Sequence, residues 1–140
     1  MPTPPLPAEA DELLRRPNYA VIATLREDGS PHTAATWYDW DGERILVNMT
    51  ASRARLRHLR RDPRVSLTVI DGDSWNRHLT VFGRAVEIVA DPDLADIDRL
   101  AQRYAGRPHG DRSRDSVSAW IELDSWYGWE GAGTWPAATA

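Results

Sequence analysis

Residues 19–49 read YAVIATLREDGSPHTAATWYDWDGERILVNM. Three runs of β-forming residues, at 19–25, 32–40 and 44–49, are separated by two short segments, and each segment carries an Asp-Gly step: Asp28-Gly29 and Asp41-Gly42. Such a step supplies the positive φ that a tight hairpin turn requires. Pro31 stands just before the second run, where a missing backbone donor is tolerated. The stretch therefore reads as a three-stranded antiparallel meander.

On its N-terminal side, residues 8–16 read as a short helix. Glu9, Asp11 and Glu12 come early, Arg15 and Arg16 come late, and Pro17 stops it. That order complements the helix dipole. The first seven residues, rich in proline, read as a disordered tail. On the C-terminal side the period changes. Leu56 and Leu59 share one face of a helix over 52–62, which ends before Pro63. Residues 64–70 alternate as a strand does, and 77–89 form a longer strand broken at Gly83, where a bulge or a close backbone approach is expected. Asp91-Pro92 reads as an N-cap followed by a first-turn proline, opening a helix whose stripe is Leu94, Ile97, Ala101 and Tyr104. A polar loop spans 107–115, and strands follow at 117–123 and 125–131. The expectation is a mainly β chain with flanking helices. Its six or seven strands, mostly antiparallel, are closed or partly closed into a barrel, which leaves few exposed edges. One domain covers 8–131, and 132–140 reads as a tail.

Composition narrows the chemistry. A chain of 140 residues suits one domain. There is no cysteine, which excludes disulfides, thiolate metal sites and cysteine nucleophiles and fits a reducing compartment. All 17 basic residues are arginine, so Schiff-base chemistry and a P-loop lysine are impossible. The net charge of −4 argues against nucleic acid as a partner. No signal-like start and no apolar run near the roughly 20 residues of a membrane span is present, so a cytoplasmic protein without membrane attachment is expected. His32, His58, His78 and His109 are scattered, and Asp91, Asp93, Asp96 and Asp98 lack the glycine and glutamate of a calcium loop. No metal is expected. Trp126, Tyr127 and Trp129 read as core or subunit contact.

The chemically informative stretch is Asn48-Met49-Thr50-Ala51-Ser52-Arg53-Ala54-Arg55, where a strand ends and a helix begins. Ser52 or Thr50 can cap the helix. Arg53 and Arg55 then fall in its first turn, where cations oppose the macrodipole by roughly 0.3–1 kcal/mol each. A bound phosphate or carboxylate would reverse that sign and collect amides, a hydroxyl and two guanidinium forks. Arg57, His58 and Arg61 are placed toward solvent. The same six arginines of 53–64 are also compatible with a solvated helix or a weak nucleic-acid patch.

Residues 23–25, 28–32, 37–42, 53–63 and 65–67, with Phe82-Gly83-Arg84-Ala85, resemble the pyridoxamine-phosphate-oxidase-like split β-barrels, above all their F420-dependent reductase branch. The resemblance covers about residues 10 to 90, and more faintly 117 to 129. It implies a homodimer with cofactor at the interface: coenzyme F420, or FMN as the alternative. Thr50, Ser52, Arg53 and Arg55 would hold the phosphate, with Asn48 and Met49 among the cofactor-binding residues. Ala35, Thr36 and Trp37 would lie along the ring, and Trp75 and Asn76 would approach from the neighbouring subunit. Trp37 and Trp75 would shape the pocket for a small-molecule acceptor, with no catalytic residue assigned. Many relatives carry lysine in place of Arg55 and asparagine in place of His58, and the arginine-rich C-terminal motif of vitamin B6 oxidation is missing. A non-catalytic cofactor- or haem-binding module is the remaining alternative.

Overall fold

The computed structural model describes residues 1–130 and the backbone of residues 134–135. Along the chain run α1 (Ala8–Arg15), β1 (Tyr19–Leu25), β2 (Pro31–Thr36), β3 (Asp39–Trp40), β4 (Arg44–Thr50), α2 (Ala54–Arg61), β5 (Arg64–Ile70), β6 (Arg77–Ala90), α3 (Ala95–Ala105), β7 (Ser116–Glu130) and β8 (Thr134–Trp135). All pairings are antiparallel in one mainly β sheet of order β2-β1-β5-β6-β7-β4-β3, with β8 added to β7.

Both Asp-Gly turns form, with Gly29 at φ 84° and Gly42 at φ 96°. The meander does not. The second run breaks at Trp37-Tyr38, so β2 pairs with β1 while β3 pairs with β4, at opposite ends of the strand order. Because those end strands are consecutive in the chain, residues 37–38 bridge the two edges. The sheet rolls into a barrel split at that seam.

The break follows from Tyr38, which is fully buried. Its hydroxyl lies 3.0 Å from the Leu14 carbonyl and 2.9 Å from that of Arg16 and shares one hydrogen between them. Arg103 of α3 secures the seam. It donates to the carbonyls of Tyr38 (2.9 Å), Leu14 (2.9 Å), Arg15 (2.7 Å) and Arg16 (2.7 Å). The carbonyls that α1 leaves unpaired at its C-terminus are thus met by Arg103 and the Tyr38 hydroxyl, and that of Leu13 by Asn18 Nδ2 at 2.8 Å.

The strand β4 is buried on both faces. Ile45, Val47 and Met49 enter the barrel core with Ile22, Leu67, Val81 and Ile121. Leu46 packs outward in a second cluster with Leu94, Ile97 and Leu100 around α3. Its neighbour Asn48 on that outer face is therefore a polar group lodged beneath α3 and the segment that follows it.

Three other expectations are corrected. The helix expected from Asp91-Pro92 begins at Ala95. The Asp91 carboxylate nonetheless caps it from a distance, accepting the Asp96 and Ile97 amides at 3.1 Å each, because Leu94 turns through φ 62° and brings those amides back over it. The last two strands are one, β7, with Asp124 as an extra residue where the β6 register shifts between Phe82 and Gly83. A Cβ at Gly83 would overlap the Glu122 carbonyl, so glycine is required by close approach. The proline-rich start lies against the barrel: the Trp126 amide donates to the Pro2 carbonyl at 3.1 Å, and Leu6 packs on the core. Apart from the backbone of 134–135, residues 131–140 fall outside the described residues, and the tail expected at 132–140 lies largely there.

Arg103→Ala should cost about 3 kcal/mol in urea unfolding, because several carbonyls lose a charged donor at once. Gly83→Ala should cost about 2 kcal/mol through steric overlap. Val86→Ala, at an exposed position on the same strand, should stay within about 0.5 kcal/mol of wild type.

Candidate functional site

Two adjoining cavities lie between the seam, the end of β4 and the loop before β7. The larger, of about 570 Å3, is walled by Tyr19, Trp37 and Tyr104 and reaches Asn48, His109 and Arg114. The smaller, of about 280 Å3, is bounded by His32, Met49, Arg53 and Ala54. Ala35, Arg55 and Arg114 line both, so the two form one groove with an aromatic end and a cationic end. A wider hollow of about 980 Å3 beside the N-terminal segment is edged by Asp11, Asp41, Glu43 and Glu122, which suit no anion.

The aromatic wall is a product of the seam. Trp37, 37% exposed, stacks on Tyr104 with ring centroids 5.4 Å apart and planes 2° apart. Tyr104 is fixed in turn by donating its hydroxyl to the Asn18 carbonyl at 2.8 Å. Burial raises its phenol pKa, so it stays a neutral donor.

The cationic end is built where β4 passes into α2. Arg53 is the N-cap and Arg55 the second helical residue, and no side chain caps this end. The capping expected of Ser52 or Thr50 is not made. The chain turns first, with the Arg53 amide donating to the Thr50 carbonyl at 3.0 Å, which leaves both hydroxyls a turn ahead of the helix. They lie 3.5 Å from each other and line neither cavity.

Arg55 is half-buried. Its Nη2 donates to the Asn48 carbonyl at 3.3 Å, while Nε is buried without a hydrogen-bond partner. Burial lowers its pKa, and the neighbouring charges of Arg53 and Arg114 lower it further. Arg114 repeats this pattern: Nη2 on Asn48 Oδ1 at 3.1 Å, Nε buried and unpartnered, and a pKa lowered by burial and then by Arg53. Among the described residues, none of these three arginines makes a salt bridge within 4.0 Å. Three guanidiniums sharing a groove without a carboxylate partner suit an anion.

The structure thus brings together Ala35, Thr36, Trp37, Asn48, Met49, Arg53 and Arg55. Trp75 and Asn76 sit in the β5–β6 loop, exposed, and line neither cavity of this chain. His58 is corrected. It is 8% exposed, with Nδ1 2.9 Å from Thr24 Oγ1 and its ring edge-on to His32. It belongs to the inner face of α2 with Leu56 and Leu59, because that face is wider than the leucine pair alone defines. Trp126 is core, whereas Tyr127 and Trp129 are partly exposed. Tyr19, Tyr104, His109 and Arg114 escaped the sequence reading. For His109 and Arg114 the placing feature is strand register: the pairing of Thr50 with Ser116 sets the loop before β7 beside the start of α2.

The arrangement suits a planar ring carrying a phosphate group, with the ring along Trp37 and Ala35 and the phosphate at the guanidiniums. Among the described residues no cluster of His, Asp or Glu could hold a metal. No described helix is long and apolar enough to cross a membrane.

Known proteins share this fold. A family model described as pyridoxamine 5'-phosphate oxidase matches residues 6–130. A solved structure named "F420 Reductase" is 35% identical, covering 86% of this chain and 98% of its own, with a TM-score of 0.79. A conserved hypothetical protein from Mycobacterium tuberculosis is 29% identical over 93% of this chain and 88% of its own, TM-score 0.74. A putative pyridoxamine 5'-phosphate oxidase from Listeria innocua shares the fold at 18% identity over 84% and 93%, TM-score 0.64.

Burial depresses the His58 pKa below its ordinary 6.5, with His32 adding to the effect. The folded state therefore prefers the neutral ring. Its contribution to stability is present above pH 6.5 and is lost as pH falls below that value. Thermal unfolding of His58→Asn should lose less stability than wild type between pH 6.5 and 5.

Proposed function

Because the chain belongs to the pyridoxamine 5'-phosphate oxidase family, we propose that it is an F420-dependent oxidoreductase acting on a small organic acceptor. The observation that carries this reading is the pair Arg53 and Arg55, free of carboxylates and placed where an aromatic-walled cavity meets a cationic one. The 35% identity to a structure named "F420 Reductase" favours F420 over FMN. When bound, the deazaflavin supplies the hydride chemistry. The chain's own residues do the rest. Arg53 and Arg55 bind the phosphate as charge-assisted donors; the hydroxyls of Thr50 and Ser52, outside both cavities, stand in the turn that precedes them. Asn48 and Met49 form the floor, and Ala35, Thr36 and Trp37 orient the ring. The aromatic wall of Trp37 on Tyr104 restricts water.

The proposal includes a cytoplasmic homodimer, in keeping with a chain that lacks cysteine. Trp75 and Asn76 then reach the groove from the partner subunit. The 74% exposure of Trp75 supports that role, because a large apolar ring left in water is suited to an interface.

FMN is the second reading, favoured by the cationic pocket, which would accept its phosphate equally well. Titration of the purified protein with each cofactor, followed by fluorescence, separates the two. Micromolar or tighter binding of F420 is expected, with FMN at least about tenfold weaker. Arg55→Ala should weaken F420 binding about 10- to 100-fold, the loss of one to two charge-assisted hydrogen bonds. Unchanged affinity in that variant would remove the assigned phosphate site. Tight F420 binding with no turnover of any unsaturated acceptor by the reduced cofactor would leave a binding module in place of an enzyme.

A further inference from the structure

We infer that His109 is a catalytic residue of the proposed reaction: its neutral imidazole donates a hydrogen bond from Nε2 to the oxygen of the bound acceptor, where negative charge collects as hydride arrives. The inference rests on the proposed reading for the reaction. The state of the ring and its place in the cavity do not depend on which cofactor is bound.

The loop between α3 and β7 holds His109 as a fixed group. Gly106 ends α3 in the left-handed region, at φ 71°. The chain then folds back on the helix, where Asp98 Oδ1 accepts the His109 amide at 3.0 Å. The same carboxylate takes both arms of the Arg112 fork, at 2.7 and 3.1 Å, and Arg112 Nη1 also donates to the His109 carbonyl at 3.1 Å. The main chain of His109 is thus held on both sides. Its ring is held as well, because the Asp111 amide donates to Nδ1 at 3.1 Å. A backbone N–H can only donate, so Nδ1 carries a lone pair and the ring proton sits on Nε2. A doubly protonated ring would set two N–H groups against each other at that contact.

His109 is half-buried and lines the larger, aromatic-walled cavity but not the smaller cationic one. The other polar groups of the aromatic end are committed. The Tyr104 hydroxyl donates to the Asn18 carbonyl at 2.8 Å, the Thr36 hydroxyl to the Trp37 carbonyl at 2.9 Å, and both ends of the Asn48 amide are used, on Ser118 and Arg114. Tyr19 is 70% exposed, so its hydroxyl belongs to water. Among the described residues, Nε2 of His109 makes no hydrogen bond. It is a held, uncommitted, neutral donor in a cavity whose floor includes Ile97 and Leu100. A donor fixed in advance in partly apolar surroundings is what stabilises charge that appears only during reaction.

The proposed hydride, supplied by the reduced deazaflavin as it loses two electrons, adds to one carbon of the acceptor's double bond. The displaced electron pair moves to the oxygen conjugated with that bond. The Nε2–H group holds this oxygen by a hydrogen bond and keeps its own proton, while water protonates the neighbouring carbon. A neutral imidazole can polarise an oxygen in this way without acting as a proton reservoir.

Long-range proton–nitrogen NMR of the full chain at pH 8 reads the ring directly. Nδ1 should be bare and Nε2 protonated; the opposite tautomer would overturn the inference. The binding probe is p-nitrophenolate, a flat ring that carries an oxyanion and no phosphate. It should move the His109 Nε2–H resonance of wild type, and His109→Asn should weaken its binding about tenfold. Asparagine keeps an acceptor for the Asp111 amide but does not reach the place of Nε2, so the loop stays while the donor goes. His109→Gln, whose side-chain N–H reaches further, should recover part of the affinity. A resonance that does not move, or unchanged affinity in His109→Asn, would also overturn the inference. With reduced F420 and cyclohexenone, His109→Asn should lower kcat about 100-fold and leave F420 affinity as in wild type. Unchanged kcat, or a fall in F420 affinity as large as the fall in kcat, would count against His109 as a contact of the acceptor. A wild type that shows the expected tautomer and the p-nitrophenolate contact, yet does not turn over with reduced F420, would sink the cofactor reading and leave His109 standing as an oxyanion donor.

Discussion

The Arg103 guanidinium holds the barrel closed. It draws together the open carbonyl end of α1 and the backbone of Tyr38, where the sheet passes from its first edge to its last. It also lies over the Tyr38 ring, 4.9 Å from the centroid, so apolar contact and charge act at one point. The adjacent residue Tyr104 stacks on Trp37, the neighbour of Tyr38. The seam that stabilises the fold is therefore also the wall of the groove. Stability and site geometry share the same short stretch of α3, and neither can change without the other.

A second link runs through β4. Its inward side chains belong to the barrel core, while Leu46 and Asn48 look outward under α3. The apolar half of that outer face docks the helix. The polar half joins a hydrogen-bonded group of Asp91, Ser116 and Ser118, in which Asp91 also caps α3 and Ser118 donates to Asp96 at 2.7 Å. Buried polar groups of this kind are tolerated only when their partners are met. Nε of Arg55, Nε of Arg114 and Nδ1 of His32 are exceptions in the groove, and Arg16 Nε and Trp126 Nε1 are exceptions outside it.

Burial and charge also separate the two sides of α2. Leu56, His58 and Leu59 face the core, whereas Arg57 and Arg60 are exposed. Arg61 spans outward to the Leu25 carbonyl at 3.2 Å. Among the arginines of α2 and its N-cap, only Arg55 combines positive charge with partial burial, with Arg53 exposed beside it. An arginine count along the helix does not distinguish these cases; accessibility does.

Local sequence was enough for whatever depends on a few adjacent residues. The Asp-Gly turns, the dipole-ordered α1 and the arginines opening α2 were all legible, because turn φ and helix polarity act over a handful of bonds. The split of the second strand run was not, since Tyr38 leaves the ladder for partners 22 and 24 residues away. The burial of His58 depends on Thr24 across the core, the late start of α3 on a carboxylate reaching back from Asp91, and the place of Arg114 on a strand register 66 residues distant from Asn48. Such contacts form only after the barrel closes. Which arginine meets the anion is therefore a question of which charges the fold leaves unpaired.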